Sequence, residues 1–150
     1  MLDALADAQL SPACLELELT ESILISDKDK ALGVLKRLKD RGVRLSIDDF
    51  GTGYSGMAYL KRFQLDKLKI DASFAADVDK DPDDMAIVRA ILQMAQTLGL
   101  ETTAEGVERL ETAAMLREMG CTHIQGYVYA KPMPAGEFSA WVQAFRGQAL

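Results

Sequence analysis

Asp48 and Asp49 stand side by side at the end of an apolar stretch, Val43-Arg44-Leu45-Ser46-Ile47, and lead into Phe50-Gly51-Thr52-Gly53. Adjacent carboxylates repel each other and add nothing to a core. Hard divalent cations such as Mg²⁺ choose carboxylate oxygens and commonly share them with phosphate and water. The pair therefore points to a metal-dependent site acting on phosphate. Strand alternation supplies its partners, because successive side chains on a strand face opposite ways. In Leu15-Glu16-Leu17-Glu18-Leu19, Glu16 and Glu18 oppose the leucines. Val43, Leu45 and Ile47 oppose Ser46 and Asp48, and Leu68 and Ile70 oppose Lys67, Lys69 and Asp71. Leu100, Thr102 and Ala104 oppose Glu101, Thr103 and Glu105, and Ile124 opposes His123 and Gln125. Glu18, Asp48, Lys69, Glu105 and Gln125 are then polar tips of successive strands, all in phase. One acid at a strand end is an ordinary solvated turn residue; a set in phase asks for a shared purpose.

Glu18, Asp48 and Asp49 can hold one or two divalent cations, and paired metals activate water and stabilise in-line displacement at phosphorus. Lys69 can orient the attacking water or offset phosphate charge; the plainer reading is a lysine reaching to solvent. Glu105 can ligate a second metal or accept a proton from water; the plainer reading is a cap or an ion pair near Arg109. Gln125 offers a neutral hydrogen-bond partner to water or substrate. The loop over 51–56 is either a lid or a simple turn. It lacks the glycine spacing and Lys-Ser/Thr ending of a nucleotide P-loop. His123 is expected to pack rather than to ligate.

These tips need a scaffold. Helical spacing over about 27–40 puts Ala31, Leu35 and Leu38 on one stripe, with Ser26 or Asp27 as cap and Gly42 as stop. A strand is expected over 43–47, a short helix over 55–62 and a strand over 66–70. Asp81-Pro82 opens a long helix, proline suiting the first helical position. In it Ile87, Ile91, Met94 and Leu98 form the expected apolar stripe, and Gly99 ends it. A strand over 100–104, a helix over 109–119 stopped by Gly120, and a strand over 123–127 follow. The last helix carries Phe138, Trp141, Val142 and Phe145 on one face. Alternating β and α units predict an α/β fold with parallel strands and right-handed crossovers. Specifically, they predict a partial TIM-type (β/α) barrel of about five βα units, with the polar tips at the C-terminal rim where barrel enzymes keep their chemistry.

The 150 residues suffice for one domain, and 49% hydrophobic with 27% charged residues is ordinary globular composition. A net charge of -6 argues against steering a nucleic-acid polymer. Cys14 and Cys121 lie far apart without a CxxC, so both are expected as free thiols in a reducing compartment. No apolar run approaches the roughly 20 residues of a membrane span, no basic start precedes an apolar stretch, and this segment is expected to make no membrane contact.

Taken together, Glu18-Leu19-Thr20-Glu21, Asp48-Asp49-Phe50-Gly51-Thr52-Gly53, Lys69-Ile70-Asp71, Ala104-Glu105-Gly106-Val107-Glu108, Gln125-Gly126-Tyr127 and Lys131-Pro132 resemble the successive signatures of EAL domains. The resemblance implies a TIM-type barrel that hydrolyses cyclic di-GMP to pGpG with Mg²⁺ or Mn²⁺, two ions in the intact domain. It implies Glu18, Asp48 and Asp49 as metal ligands, Lys69 at the catalytic water, and Glu105 as metal ligand or general base. Gln125 would line the site and Asp71 would support it. Glu21 would anchor the loop from Phe50 to Gly56, with Phe50, Gly51, Thr52 and Gly53 at its start, which is associated with dimerisation and control of activity, with Glu108 in a supporting role. A homodimer, upstream sensory or GGDEF-type domains, and a bacterial cytoplasmic location, alone or as part of a larger membrane-bound protein, are implied likewise.

One departure is large. The Glu-Ala-Leu motif on an early strand and the asparagine of the first metal site are absent; Asp3-Ala4-Leu5 is not that motif. A full barrel takes about 250 residues. Residues 1–150 are therefore expected to be the C-terminal part of a single EAL domain, inactive as an isolated fragment, with its missing N-terminal half as a partner. The alternatives are a non-catalytic cyclic di-GMP-binding module, which would be expected to have lost some of these acids, and a receiver-like phosphoacceptor domain. The latter requires an acceptor aspartate between acid pair and lysine, two strands apart, whereas Lys69 lies on the very next strand.

Overall fold

A computed structural model of the chain describes residues 1–20, 28–51, 60 and 63–145. The expected short helix over 55–62 and the cap at Ser26 or Asp27 fall outside these residues, Leu60 excepted. The described elements are α1 (Leu2–Asp7), β1 (Glu16–Thr20), α2 (Lys28–Lys39), β2 (Arg44–Phe50), β3 (Lys67–Ile70), α3 (Ala72–Ala75), α4 (Pro82–Leu98), β4 (Glu101–Ala104), α5 (Leu110–Glu118), β5 (His123–Ile124) and α6 (Ala135–Phe145). The strands form one sheet in the order β1-β2-β3-β4-β5, every pair parallel. That is the expected α/β arrangement. It leaves β1 and β5 as the sheet's two edges.

The apolar face of the sheet is the core. Leu45, Ile47, Leu68 and Ile70 are fully buried with Val88 and Leu116 from α4 and α5. Aliphatic side chains alternating on each strand bury one face and leave the other to polar residues. Asp81 caps α4, accepting from the Asp83 amide at 2.8 Å, and Gly99 closes it in the left-handed conformation.

Several boundaries and faces differ from the sequence reading. β2 runs on to Phe50, and β5 is only His123–Ile124. In α4 the buried residues are Val88, Ile91, Leu92 and Ala95, while Ile87 and Leu98 are 38% and 40% exposed. The helix offers two neighbouring apolar stripes at helical spacing, and packing on β3 and β4 selects one. In α6 the aromatic face is present but none of its described residues is buried. Phe138, Trp141 and Phe145 instead stack in series, with ring centroids 5.9 and 4.9 Å apart. Cys14 is exposed and Cys121 buried, both as free thiols.

Candidate active site

The site begins with a fault in β2. Its register with β3 pairs Ser46 with Lys67 and Ile47 with Leu68, then slips so that Phe50 meets Ile70. Asp49 takes up the extra residue with a left-handed φ of 54°, a conformation Asp tolerates better than most residues. In a regular strand Asp49 would face away from Asp48. The bulge re-aims it, and the ligand oxygens of Asp48, Asp49 and Glu105 all lie within 4.8 Å of one another. Phe50 then belongs to the core, 5% exposed, so the loop begins at Gly51 and not at Phe50 as expected.

Lys69 stands at the centre of the tips. Its ammonium lies 2.9 Å from Glu18 Oε1, 2.8 Å from Asp48 Oδ1 and 2.7 Å from Glu105 Oε1. It does not reach to solvent; its side chain is 7% exposed. Burial opposes its charge, but the contacts with Asp48, Glu105 and Glu18 outweigh burial and hold its pKa above the ordinary lysine value. The charge of Asp48 in turn pushes the Asp49 carboxyl above the usual aspartate range. Among the described residues, four carboxylates (Glu18, Asp48, Asp49, Glu105) thus gather around one ammonium, a formal excess of three negative charges. Asp48 Oδ1 is buried, with the Lys69 ammonium 2.8 Å away. An all-oxygen donor set with surplus negative charge fits a hard divalent cation. Asp48, Asp49 and Glu105 would hold it, with Glu18 alongside through Lys69.

The other expected residues divide. Asp71 caps α3, accepting from the Ser73 amide at 2.9 Å, and shares a hydrogen bond with Asp49. The Ser73 bonds hold its pKa below the usual range. Gln125 and Glu108 line a cavity of about 770 Å³ that also takes in Tyr127, Lys131 and Trp141. Gly51 packs toward Phe74 of α3. Glu21, Thr52 and Gly53 lie outside the described residues. Arg109 is not the partner of Glu105; its guanidinium pairs with Asp79. His123 is exposed, and its Nε2 lies 3.2 Å from Glu101.

A second charged layer lies lower on the same face, one or two inward-facing positions below the tips. Lys67 donates to Glu16 at 2.8 Å, Arg44 Nε lies 3.5 Å from Glu16, and the Arg44 guanidinium pairs with Glu101, which also meets His123. The signal was present in the alternation, since Glu16, Arg44, Lys67, Glu101 and His123 share the phase of the tips. Only the register, Glu16 opposite Arg44 and Lys67 opposite Glu101, shows that opposite charges meet.

The EAL domain profile matches residues 1–132. The chain belongs to the EAL domain family. Among curated EAL relatives, the cyclic di-GMP phosphodiesterase NbdA of Pseudomonas aeruginosa is 47% identical over 146 residues, covering 97% of this chain and 19% of that protein. The solved PaMucR phosphodiesterase in complex with c-di-GMP superposes with a TM-score of 0.85 at 44% identity, over 91% of this chain and 56% of that one. BlrP1 of Klebsiella pneumoniae, solved as a manganese/cy-diGMP complex, gives 0.81 at 40% identity, over 87% and 33%. This chain therefore spans about one fifth of that curated EAL relative and about half of the PaMucR chain. Its five parallel strands match the α/β barrel architecture of these EAL structures.

Proposed function

We propose that the chain is the C-terminal part of an EAL domain that hydrolyses cyclic di-GMP to pGpG with two bound Mg²⁺ or Mn²⁺ ions. The observation that carries this reading is Lys69 held by Glu18, Asp48 and Glu105, with Asp49 turned into the same centre. Likeness to the cyclic di-GMP phosphodiesterase NbdA, to the c-di-GMP complex of PaMucR and to the manganese complex of BlrP1 supports it. A bound divalent cation supplies a polarised water and charge stabilisation at phosphorus. The residues of the chain do the rest. Asp48, Asp49, Glu105 and Glu18 bind and orient the cations. Lys69 stays charged at neutral pH and places a proton donor beside the attacking water and the phosphate oxygens. Glu105 accepts a proton within the same cluster. Gln125 and Asp71 line the approach of the substrate, and Glu108 with the loop from Gly51, including Thr52, Gly53 and its anchor Glu21, regulates it.

The five-stranded sheet has open edges at β1 and β5, and its charged inner face needs a cover. We read the remaining strands of the barrel as that cover, with a homodimer and upstream sensory or GGDEF-type domains completing the protein in the bacterial cytoplasm or on its cytoplasmic membrane face. No described helix is long and apolar enough to cross a membrane. The test is a phosphodiesterase assay with Mn²⁺ on the 150-residue chain and on an intact domain containing it. The intact domain is expected to release pGpG, and the chain alone to show little or no turnover. Turnover by the chain equal to that of the intact domain overturns the partial-barrel reading. Cyclic di-GMP binding by the intact domain without cleavage overturns the catalytic reading in favour of a binding module.

A further inference from the structure

The connections after β3, β4 and β5 are stitched together above the sheet. Gly106, the residue after Glu105, has a φ of 67°, and a Cβ there would lie 2.5 Å from Ala72 Cβ, the residue after Asp71. Only glycine combines that backbone with that approach. Val107 is fully buried; its amide donates to the Gln125 carbonyl at 3.2 Å, and its carbonyl accepts from the Val128 amide at 3.0 Å. A Cβ on Gly126 would lie 2.0 Å from the Val107 oxygen. Asp71, Glu105 and Gln125 thus each border a contact between neighbouring connections.

One ion pair spans the same seam. Arg109 occupies the N-cap position of α5 yet makes no side-chain capping bond. Its guanidinium instead forks onto Asp79, with Nη1 donating to Oδ2 at 2.7 Å and Nη2 to Oδ1. Asp79 also accepts from the buried Thr112 hydroxyl at 3.1 Å. Asp79 lies in the turn between α3 and α4, on the chain that leaves Asp71; Arg109 lies on the chain that leaves Glu105. A bidentate pair fixes direction as well as distance. The pairing lowers the Asp79 pKa, so the carboxylate is ionised at neutral pH.

We propose that Asp79 and Arg109 are positioning residues for Glu105. They lock the connection after β3 to the connection after β4, and so set where the Glu105 carboxylate stands relative to Lys69, Asp48 and Asp49. The inference rests on the cation site proposed above. The probe is Mn²⁺ alone, titrated into the 150-residue chain and followed by the EPR signal of the free ion, well below the melting temperature, with thermal unfolding on the same samples. Arg109→Ala and Asp79→Asn are each expected to weaken Mn²⁺ binding by about tenfold, the lower end for outer partners of metal ligands. Arg109→Lys recovers only part of the loss, because an ammonium cannot reproduce the fork. The double variant is no weaker than either single. Lys80→Ala, which removes an exposed ion pair with Asp77 in the same turn, leaves the affinity unchanged. Should Arg109→Ala not fold, Arg109→Lys carries the comparison. A lowered melting temperature with unchanged Mn²⁺ affinity in these variants overturns the clamp and leaves the cation site standing. Absence of saturable Mn²⁺ binding by the unsubstituted chain overturns both.

Discussion

Two layers of charge line the inner face of the sheet, one or two inward-facing positions apart along the same strands. In the lower layer two carboxylates, Glu16 and Glu101, meet two cations, Lys67 and Arg44, with His123 at the margin. In the upper layer Glu18, Asp48 and Glu105 share Lys69, the one cation there among the described residues, with Asp49 beside them. Balanced pairs satisfy one another and ask for nothing more. Carboxylates crowded beyond their cations keep a surplus that the fold must hold at a cost. The contrast separates a floor, which ties strands together, from a rim, which is poised to take up positive charge.

The sharpest way to break this contrast is to remove one carboxylate from each layer. Asp48→Asn is expected to weaken Mn²⁺ binding at least about tenfold, the range seen when a metal site loses a key partner. Glu16→Gln is expected to leave it unchanged. Isothermal titration with Mn²⁺ measures both, and equal losses would merge the two layers into one. Removing the central cation comes next. Lys69→Met buries a methionine where the ammonium stood, leaves partly buried carboxylates unpaired, and is expected to cost about 3 kcal/mol in metal-free urea unfolding. Saturating Mn²⁺ should stabilise this variant more than the unsubstituted chain, because ion and ammonium draw on the same oxygens. Equal stabilisation would place the ion elsewhere.

The smallest expected effect is a difference in pH response. Burial opposes the charge of Glu101, but Arg44 and His123 outweigh it and hold its pKa below the ordinary 4.5. A lowered acid stabilises the fold above that ordinary value and ceases to do so as pH falls through the folded value. Lys69 is raised above 10.5. A raised base stabilises below its ordinary value and loses this only as pH rises through the folded one. The destabilisation in Glu101→Gln should therefore shrink below pH 4.5, and that in Lys69→Met should persist on the alkaline side until above pH 10.5, read from urea midpoints across pH. A rim contribution that fades on the alkaline side well before pH 10.5 would show that Lys69 is not what the carboxylates depend on.

Much of this was legible from the residues. A period of two placed Glu18, Asp48, Lys69 and Glu105 on one face of neighbouring strands, and parallel strands in sequential order were enough to bring them together. Asp81 and Gly99 marked both ends of α4 because capping is local chemistry. The faces of α4 were not legible, since Ile87 and Val88 are equally apolar and only the sheet beneath decides between them. α6 carried its aromatic stripe as read, yet none of its described residues is buried.

What the sequence determined by itself was local: which side chains share a phase along each strand, where helices start and stop, and which acids stand next to each other. What only the folded chain decided was relational. The bulge that turns Asp49 beside Asp48 depends on Phe50 reaching Ile70 across the sheet. The neutral floor depends on strand register, and the Asp79–Arg109 pair on two connections 30 positions apart meeting over the rim. Contacts of that kind have no sequence period, because their spacing is set by how elements pack and not by how one chain repeats.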